Sequence, residues 1–467
     1  MEGLNRLAAD EIAPGVRRMR TDDHFLILSE GDATPMHVGA LIFLDVAAAE
    51  VADAYDRLVR HFVERLPGTP LLCTIHQCPD GYDSDVWADV AGCDEAWHFD
   101  RISERLDGTQ LRQRVAELVM ERLDLSRPPF RVHIFDHLAD GGVALYFKMH
   151  HALADGVGFQ TVLGLLSDDN GPTPALARDA ELPSPAEWRR MAEERFVRDE
   201  SLREAKRAKT KETLDLLKSG SLPQRPQTPV LRLSGPTATT RDYATWSVPL
   251  DRVKALAQAL GGTINDVFLA LASGAVRRIL MELDDLPADP VVVNSARSYR
   301  RPEHGDFGNR IVAMHPHLAT NIADPVARFK AIQAEMEREK SRTAIDESLL
   351  DAPEKPYGAR ERRERFAQRR ESGGSILPGN ITLSNVPGPA QSRSYAGFVQ
   401  VANHPVPLLG AGRFLNITSR RSGENLDMGL MVDPTKIPDA ARVGSALDAA
   451  LAEYEGLAAG GSGKGNG

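Results

Sequence analysis

The chain is short of cysteine, of net positive charge and of long apolar runs, and each shortage removes a class of function. Only Cys73, Cys78 and Cys93 occur in 467 residues, none of them in a Cys-x-x-Cys pair. An odd, sparse set of this kind cannot build a disulfide framework and suits a reducing compartment. The 66 acidic residues outnumber the 56 basic ones, for a formal net charge of −10. With no uniformly basic domain and no groove-reading motif, nucleic acid is excluded as a dedicated partner. No run of about 18 apolar residues exists to span a membrane. The opening MEGLNRLAADEIAPG lacks the basic-then-apolar order of a signal peptide. A cytoplasmic protein is expected, with peripheral contact at a membrane or lipid-droplet surface left open. Common catalytic signatures are missing as well: GxSxG, the P-loop, GxGxxG and HExxH do not occur.

What remains is an ordinary globular composition, 42% hydrophobic and 26% charged, in a chain too long for one core. Apolar strand-like and amphipathic helical stretches intermix through both halves, which predicts two α/β domains. Residues 109–123 place Leu111, Val115, Leu118, Val119 and Leu123 on one helical face. FRVHIFDHLADGGVALYFKMHH reads as two strands around a turn at residues 139–142. The proline-rich and charged stretch 168–240 reads as a crossing that contains a solvated helix. The second half restarts at YATWSVPLD and continues with helices at 251–260 and 264–282 and the strand DPVVVNSARS. Expected boundaries are therefore 1–167, 168–240 and 241–458. Residues 343–374 are expected to form a mobile excursion, and 459–467 a disordered tail.

The richest stretch is YFKMHHALADGVGFQ, residues 146–160. Side chains alternate along a strand, so His150 and His151 point to opposite faces, which disfavours one shared metal ion. No third ligand at a sensible spacing supports zinc either. Histidines packed at a strand end are the plain reading. Asp155-Gly156 with Gly158 adds a sharp turn into a helix, a junction that can present a histidine as a proton acceptor near neutral pH. Asp155 alone would serve as that helix's N-cap. With no protein nucleophile in view, a histidine base implies direct transfer, in which an incoming hydroxyl or amine is deprotonated and attacks an activated acyl group.

His150-His151-Ala152-Leu153-Ala154-Asp155-Gly156 resembles the HHxxxDG signature of the CoA-dependent acyltransferase superfamily. PMHVG (35–39), LDLSRPPF (123–130), GGTINDVFLA (261–270), FGNRI (307–311), SNVPGP (384–389) and PLLGAGRFLNIT (407–418) follow in the order of the bacterial wax ester synthase/diacylglycerol acyltransferases. The resemblance spans about residues 20–457. It implies two chloramphenicol-acetyltransferase-like domains with an active-site tunnel at their interface. It also implies transfer of a fatty acyl group from acyl-CoA, a co-substrate rather than a cofactor, to a long-chain alcohol or diacylglycerol. By position, His151 is the general base, His150 its structural neighbour, and Asp155 and Gly156 shape the turn. Asn265 and Asp266 match a second family motif that faces the site, although an early-helix pair, with Asp266 favoured by the helix dipole, explains them equally well. The chain differs from the family pattern at Pro128-Pro129-Phe130 and at the strand Val292–Arg297.

An acidic protein needs a local basic patch for CoA phosphates. Arg297, Arg300 and Arg301 are the first candidates, ahead of the glutamate-interleaved RERRERFAQRR at 360–370. Arg297 is also the first candidate for an ion pair that would pin Asp155. Two competing functions stay open on the residues alone: an acyltransferase of specialised metabolism with a CoA or carrier-protein thioester and a polar hydroxyl or amine acceptor, and a catalytically silent lipid-surface protein on the same fold.

Overall fold

The strand leading to the histidine pair lies at the centre of a six-stranded sheet. In order, that sheet contains Ser394–Tyr395, Phe398–Val406, His37–Asp45, Val143–His150, Phe130–Phe135 and Phe99–Ile102. The hairpin expected around 139–142 is present, with Phe130–Phe135 antiparallel to Val143–His150. The central position buries all eight residues of VALYFKMH, Lys148 included. Lys148 Nζ donates to the carbonyls of Leu118 and Glu121, each at 2.7 Å. These close the C-terminal end of the helix Gly108–Met120, where unsatisfied carbonyls favour a cation. Burial nevertheless pulls the lysine down to about 7. That helix starts where the sequence places it because Asp107 and Gln110 form a capping box.

This computed structural model describes residues 11–176, 178–222, 224, 226–301, 308–343, 355–371 and 378–462. Residues 463–467 of the tail, and 344–354 and 372–374 of the expected excursion, lie outside the described residues.

The second half forms its own six-stranded sheet, ordered Ile311–Met314, Val293–Ser298, Ile381–Val386, Leu415–Ser422, Asn425–Val432 and Asp242–Pro249. Val293–Ser298, Ile381–Val386 and Leu415–Ser422 run parallel. The apolar helix Ile264–Glu282 packs on this sheet, joined in one core by residues of Leu250–Leu260, Pro325–Arg342 and the helix that begins at Ala441. Among the described residues no single helix is long and apolar enough to cross a membrane.

The chain does not respect a boundary at 241. Phe398–Val406 leaves the second half and pairs antiparallel with His37–Asp45 of the first, from Val399 opposite Asp45 to Val406 opposite Gly39. Its main chain runs so close to the second sheet that a Cβ on Gly429 would sit 1.7 Å from the Pro405 carbonyl oxygen. Only glycine fits there. The exchanged strand thus joins the two sheets along one seam.

The crossing segment contains two helices, Pro185–Arg198 and Glu200–Lys218. The first buries Trp188 against a small four-stranded sheet built from residues 11–18 and 73–89. Residues Gly358–Glu371 are not an excursion but a helix. Phe366 meets Phe25 edge-on at 5.2 Å, Arg362 bonds to His24 and Arg363 pairs with Asp85. The basic run is therefore half buried against the first domain rather than fully solvated.

Candidate active site

After His150 the chain makes a short turn, His151–Leu153, and enters the helix Gly156–Leu165. The turn is held from both halves of the protein. The His151 N–H donates to the Met36 carbonyl at 2.8 Å, and Asn309 Nδ2 donates to the His151 carbonyl at 2.8 Å. Asn309 is itself fixed by Asp23 Oδ1, which accepts from its backbone N–H at 3.0 Å and from Nδ2 at 2.8 Å. Burial raises the Asp23 carboxyl to about 6.

The His151 ring lines a cavity of about 410 Å3 between the two sheets. Its Nδ1 is buried, so Nε2 is the nitrogen presented to the cavity. Burial lowers the pKa of the ring below its ordinary 6.5, opposed by the carbonyls of His151 and Ala154, the Asp155 charge and the Asn309 side chain. The imidazole is therefore neutral, and basic, at neutral pH.

His150 faces the other way and is fully buried. Its Nδ1 accepts from the Ala152 N–H at 3.1 Å, which ties the turn to the strand end. Beside it lie His37, ring centroid at 6.1 Å, and Glu30, with Oε1 3.9 Å from His150 Nε2 and 3.2 Å from His37 Nε2. Burial depresses His150 to about 3. Glu30 is drawn down to about 2 because the hydrogen bond from His37, the nearby His150 and the bond from Arg122 outweigh its burial.

Asp155 does two things at once. Oδ1 accepts from the N–H groups of Val157 and Gly158, both at 3.0 Å, and caps the helix. Oδ2 accepts from Arg300 Nη2 at 2.8 Å and from the Arg310 N–H at 3.0 Å. The distant arginine expected for Asp155 is thus Arg300 and not Arg297. Arg297 sits on the strand Val293–Ser298 and donates to the Thr343 carbonyl at 3.0 Å. Arg300 lies beyond the strand end, where the chain bends toward the turn. Gly156 is where the halves touch: a Cβ there would lie 2.8 Å from Val386 Cγ2.

The two walls of the cavity differ. Phe25, Leu26, Met36, Val38 and Phe159 supply an apolar side from the first half. The second half presents register rows of its parallel strands: Asn294, Thr382 and Asn416, then Ser384 and Thr418, then Val386 and Arg420. From Asn416 to Arg420 this wall extends about 13 Å.

Other expected site residues lie elsewhere. Asp266 completes a capping box with Thr263 and does not line the cavity. Asn265 Oδ1 accepts from Asn385 Nδ2 at 3.2 Å; Asn385 alternates with the cavity-facing Ser384 and Val386 and so projects from the opposite face. Arg297, Arg300 and Arg301 do not line the cavity either. Of the three, Arg300 is engaged by Asp155. The cysteines lie away from the cavity, and burial pushes Cys73 and Cys93 up to about 12 and Cys78 to about 11, so none is poised as a nucleophile. Among the described residues no group of three His, Cys, Asp or Glu side chains is placed to hold a metal ion. Asn309, Asp23, Glu30 and Arg420 were not singled out from the sequence. Only Asn309 carried a signal there, as part of FGNRI.

Residues 19–268 match the wax ester synthase/diacylglycerol acyltransferase catalytic domain, and 307–455 match the C-terminal domain of the same family. The chain belongs to this family of acyltransferases. A putative diacylglycerol O-acyltransferase of Mycobacterium tuberculosis is 29% identical over 459 residues, covering 93% of this chain and 98% of the relative. The O-acyltransferase WSD of Acinetobacter baylyi is 25% identical, covering 95% and 98%. In three dimensions the chain resembles the wax ester synthase/diacylglycerol acyltransferase of Marinobacter aquaeolei, with a TM-score of 0.66 at 22% identity, covering 95% of this chain and all of that one. A condensation domain of the calcium-dependent antibiotic synthetase shares the two-domain fold with a TM-score of 0.58 at 16% identity, covering 96% and 97%.

Proposed function

We propose that this acyltransferase moves a fatty acyl group from acyl-CoA to the hydroxyl of a long-chain alcohol or diacylglycerol, with His151 as general base. Nε2 takes the hydroxyl proton as the oxygen attacks the thioester carbonyl. The tetrahedral intermediate then collapses, the C–S bond breaks, and the imidazolium returns the proton to the departing thiolate. No acyl-enzyme is required. One observation carries the reading: His151, half-buried at the strand-to-helix turn, lines an apolar-sided cavity between the halves. The Asp155–Arg300 pair and Asn309 hold the turn in that position and transfer no proton.

The apolar wall suits an acyl chain, whose burial contributes about 0.8 kcal/mol per methylene. Because the substrates are lipids, the enzyme is placed peripherally at a membrane or lipid-body surface on the cytoplasmic side. Purified protein with acyl-CoA of increasing length, and hexadecanol or dioleoylglycerol as acceptor, tests the proposal through thiol release. Turnover should rise steeply with chain length at low concentration. Equal use of acetyl-CoA and palmitoyl-CoA contradicts it.

A further inference from the structure

The polar wall of the cavity ends in a guanidinium that, among the described residues, makes no direct salt bridge. Arg420 is 2% exposed and lines the cavity. Among the described residues its only hydrogen bond is from Nη2 to the Asn403 carbonyl, at 3.0 Å. Its cross-strand neighbour is Asp427, whose charge favours the guanidinium at a distance but whose oxygens are bonded to other donors. Asp427 Oδ1 accepts from Ser247 Oγ at 2.7 Å and Oδ2 from the Asn403 N–H at 3.1 Å. Arg420 Nε is buried without a partner. A second guanidinium adds to the positive field: Arg393 donates to Gln160 Oε1 at 3.1 Å and to the Gln160 carbonyl at 3.0 Å, and Gln160 lines the same cavity. Burial, and to a lesser degree the nearby Arg393, draw Arg420 down to about 10, outweighing the opposing effects of Tyr395, Asp427 and Tyr243. A buried cation in this state is costly until an anion joins it.

Arg420 is also close to the reaction centre. Its register partner across the parallel pair is Val386, the residue packed against Gly156 at the catalytic turn. Thr418 and Asn416 continue the polar face along the same strand, with Thr418 Oγ1 donating to Asn416 Oδ1 at 3.0 Å. A neutral hydrocarbon acceptor would leave this wall and its charge unsatisfied.

We infer that Arg420 binds an anionic group, a carboxylate or phosphate, on the alcohol that accepts the acyl chain. This rests on the acyl transfer proposed above and narrows its acceptor: an alcohol with an acidic group fits the site better than its uncharged counterpart. The anion would take the open face of the guanidinium while the hydroxyl reaches His151.

Two matched pairs of acceptors test this with palmitoyl-CoA as donor. One is 3-hydroxypalmitate against its methyl ester, which probes a carboxylate near the hydroxyl. The other is lysophosphatidate against monoacylglycerol, which probes a phosphate. The wild-type protein should favour the charged member of at least one pair by about tenfold or more in kcat/KM, the scale of one hydrogen bond to a charged group. R420M should bring that ratio to about one, whatever its absolute rate, and R420K should keep most of it. The R420K protein, which retains the buried charge, keeps the comparison interpretable if R420M fails to fold. Equilibrium binding of each acceptor without acyl-CoA, followed by thermal shift, separates this inference from the transfer reading. Tighter binding of the charged member with no thiol release would sink the transfer reading and leave Arg420 standing. Thiol release with both neutral acceptors preferred, or an undiminished preference in R420M, overturns the role of Arg420.

Discussion

Asp155 and Arg300, 145 residues apart, pair at 2.8 Å across the two halves of the protein. Their side chains are only 3% and 8% exposed. The pair clamps the catalytic turn to the second domain, while the other carboxylate oxygen caps the following helix.

Removing one member leaves the other charge buried, at a cost of about 3–5 kcal/mol. R300M and D155N should both lower the unfolding free energy on that scale and reduce acyl transfer in parallel. D155N retains a capping oxygen, so D155A should be worse by about a further 1 kcal/mol. Denaturant titration of the four proteins, including the R300M/D155N double variant, measures the coupling. Strictly additive losses would show that the two side chains do not act as a pair.

Gly156 is required for space rather than for backbone freedom. In G156A the new methyl would lie 2.8 Å from Val386 Cγ2, which should cost about 1–3 kcal/mol through overpacking and displace the turn that carries His151. Trimming the neighbour in G156A/V386A should restore transfer toward wild type. If the double variant is no more active than G156A, the contact with Val386 is not what the glycine serves.

Acid should weaken the fold through His150. Its folded value, about 3, lies below its ordinary 6.5, so the unfolded chain takes up a proton that the folded one refuses. Stability from this group is complete above pH 6.5 and falls as pH drops toward 3. Glu30, at about 2 against an ordinary 4.5, acts in the same direction from pH 4.5 downward. Melting temperatures measured between pH 7.5 and 5 should decline in the wild type and decline less steeply in H150N, because His150 is one of several buried histidines, His37 and His133 among them, whose lowered values act in that window, and the substitution removes its share. Parallel slopes would remove His150 from the account.

Much of this was legible where the determinants are local. The hairpin, the histidine turn and the helix after Asp107 depend on residues within a few positions of one another. The capping pattern also explains why Asp266 belongs to its helix and not to the cavity. The rest depends on tertiary placement. Nothing in FVQVANHPV tells it to join the sheet of the other domain, a choice that shows only in its pairing with His37–Asp45. Arg297 resembled the partner of Asp155 because it ends an apolar strand, but its side chain bonds to the Thr343 carbonyl and does not line the cavity. Arg300 reaches Asp155 only because the chain bends after the strand, and Arg420 makes no direct salt bridge with its cross-strand neighbour Asp427, whose oxygens are bonded to Ser247 and Asn403.

The most direct test of the central claim is the rate of acyl transfer from palmitoyl-CoA in H151A, set beside its melting temperature. His151 packs on the cavity rather than in the core, so its loss should leave the melting temperature unchanged while kcat/KM falls by about 10²–10⁴, the contribution of a positioned general base. In the wild type the rate should also fall on the acid side of a pKa below 6.5, in keeping with the lowered value of the ring, and this limb should vanish from the residual activity of H151A. Transfer by H151A at close to the wild-type rate, with the acid limb intact, would contradict the assignment of His151 as the base.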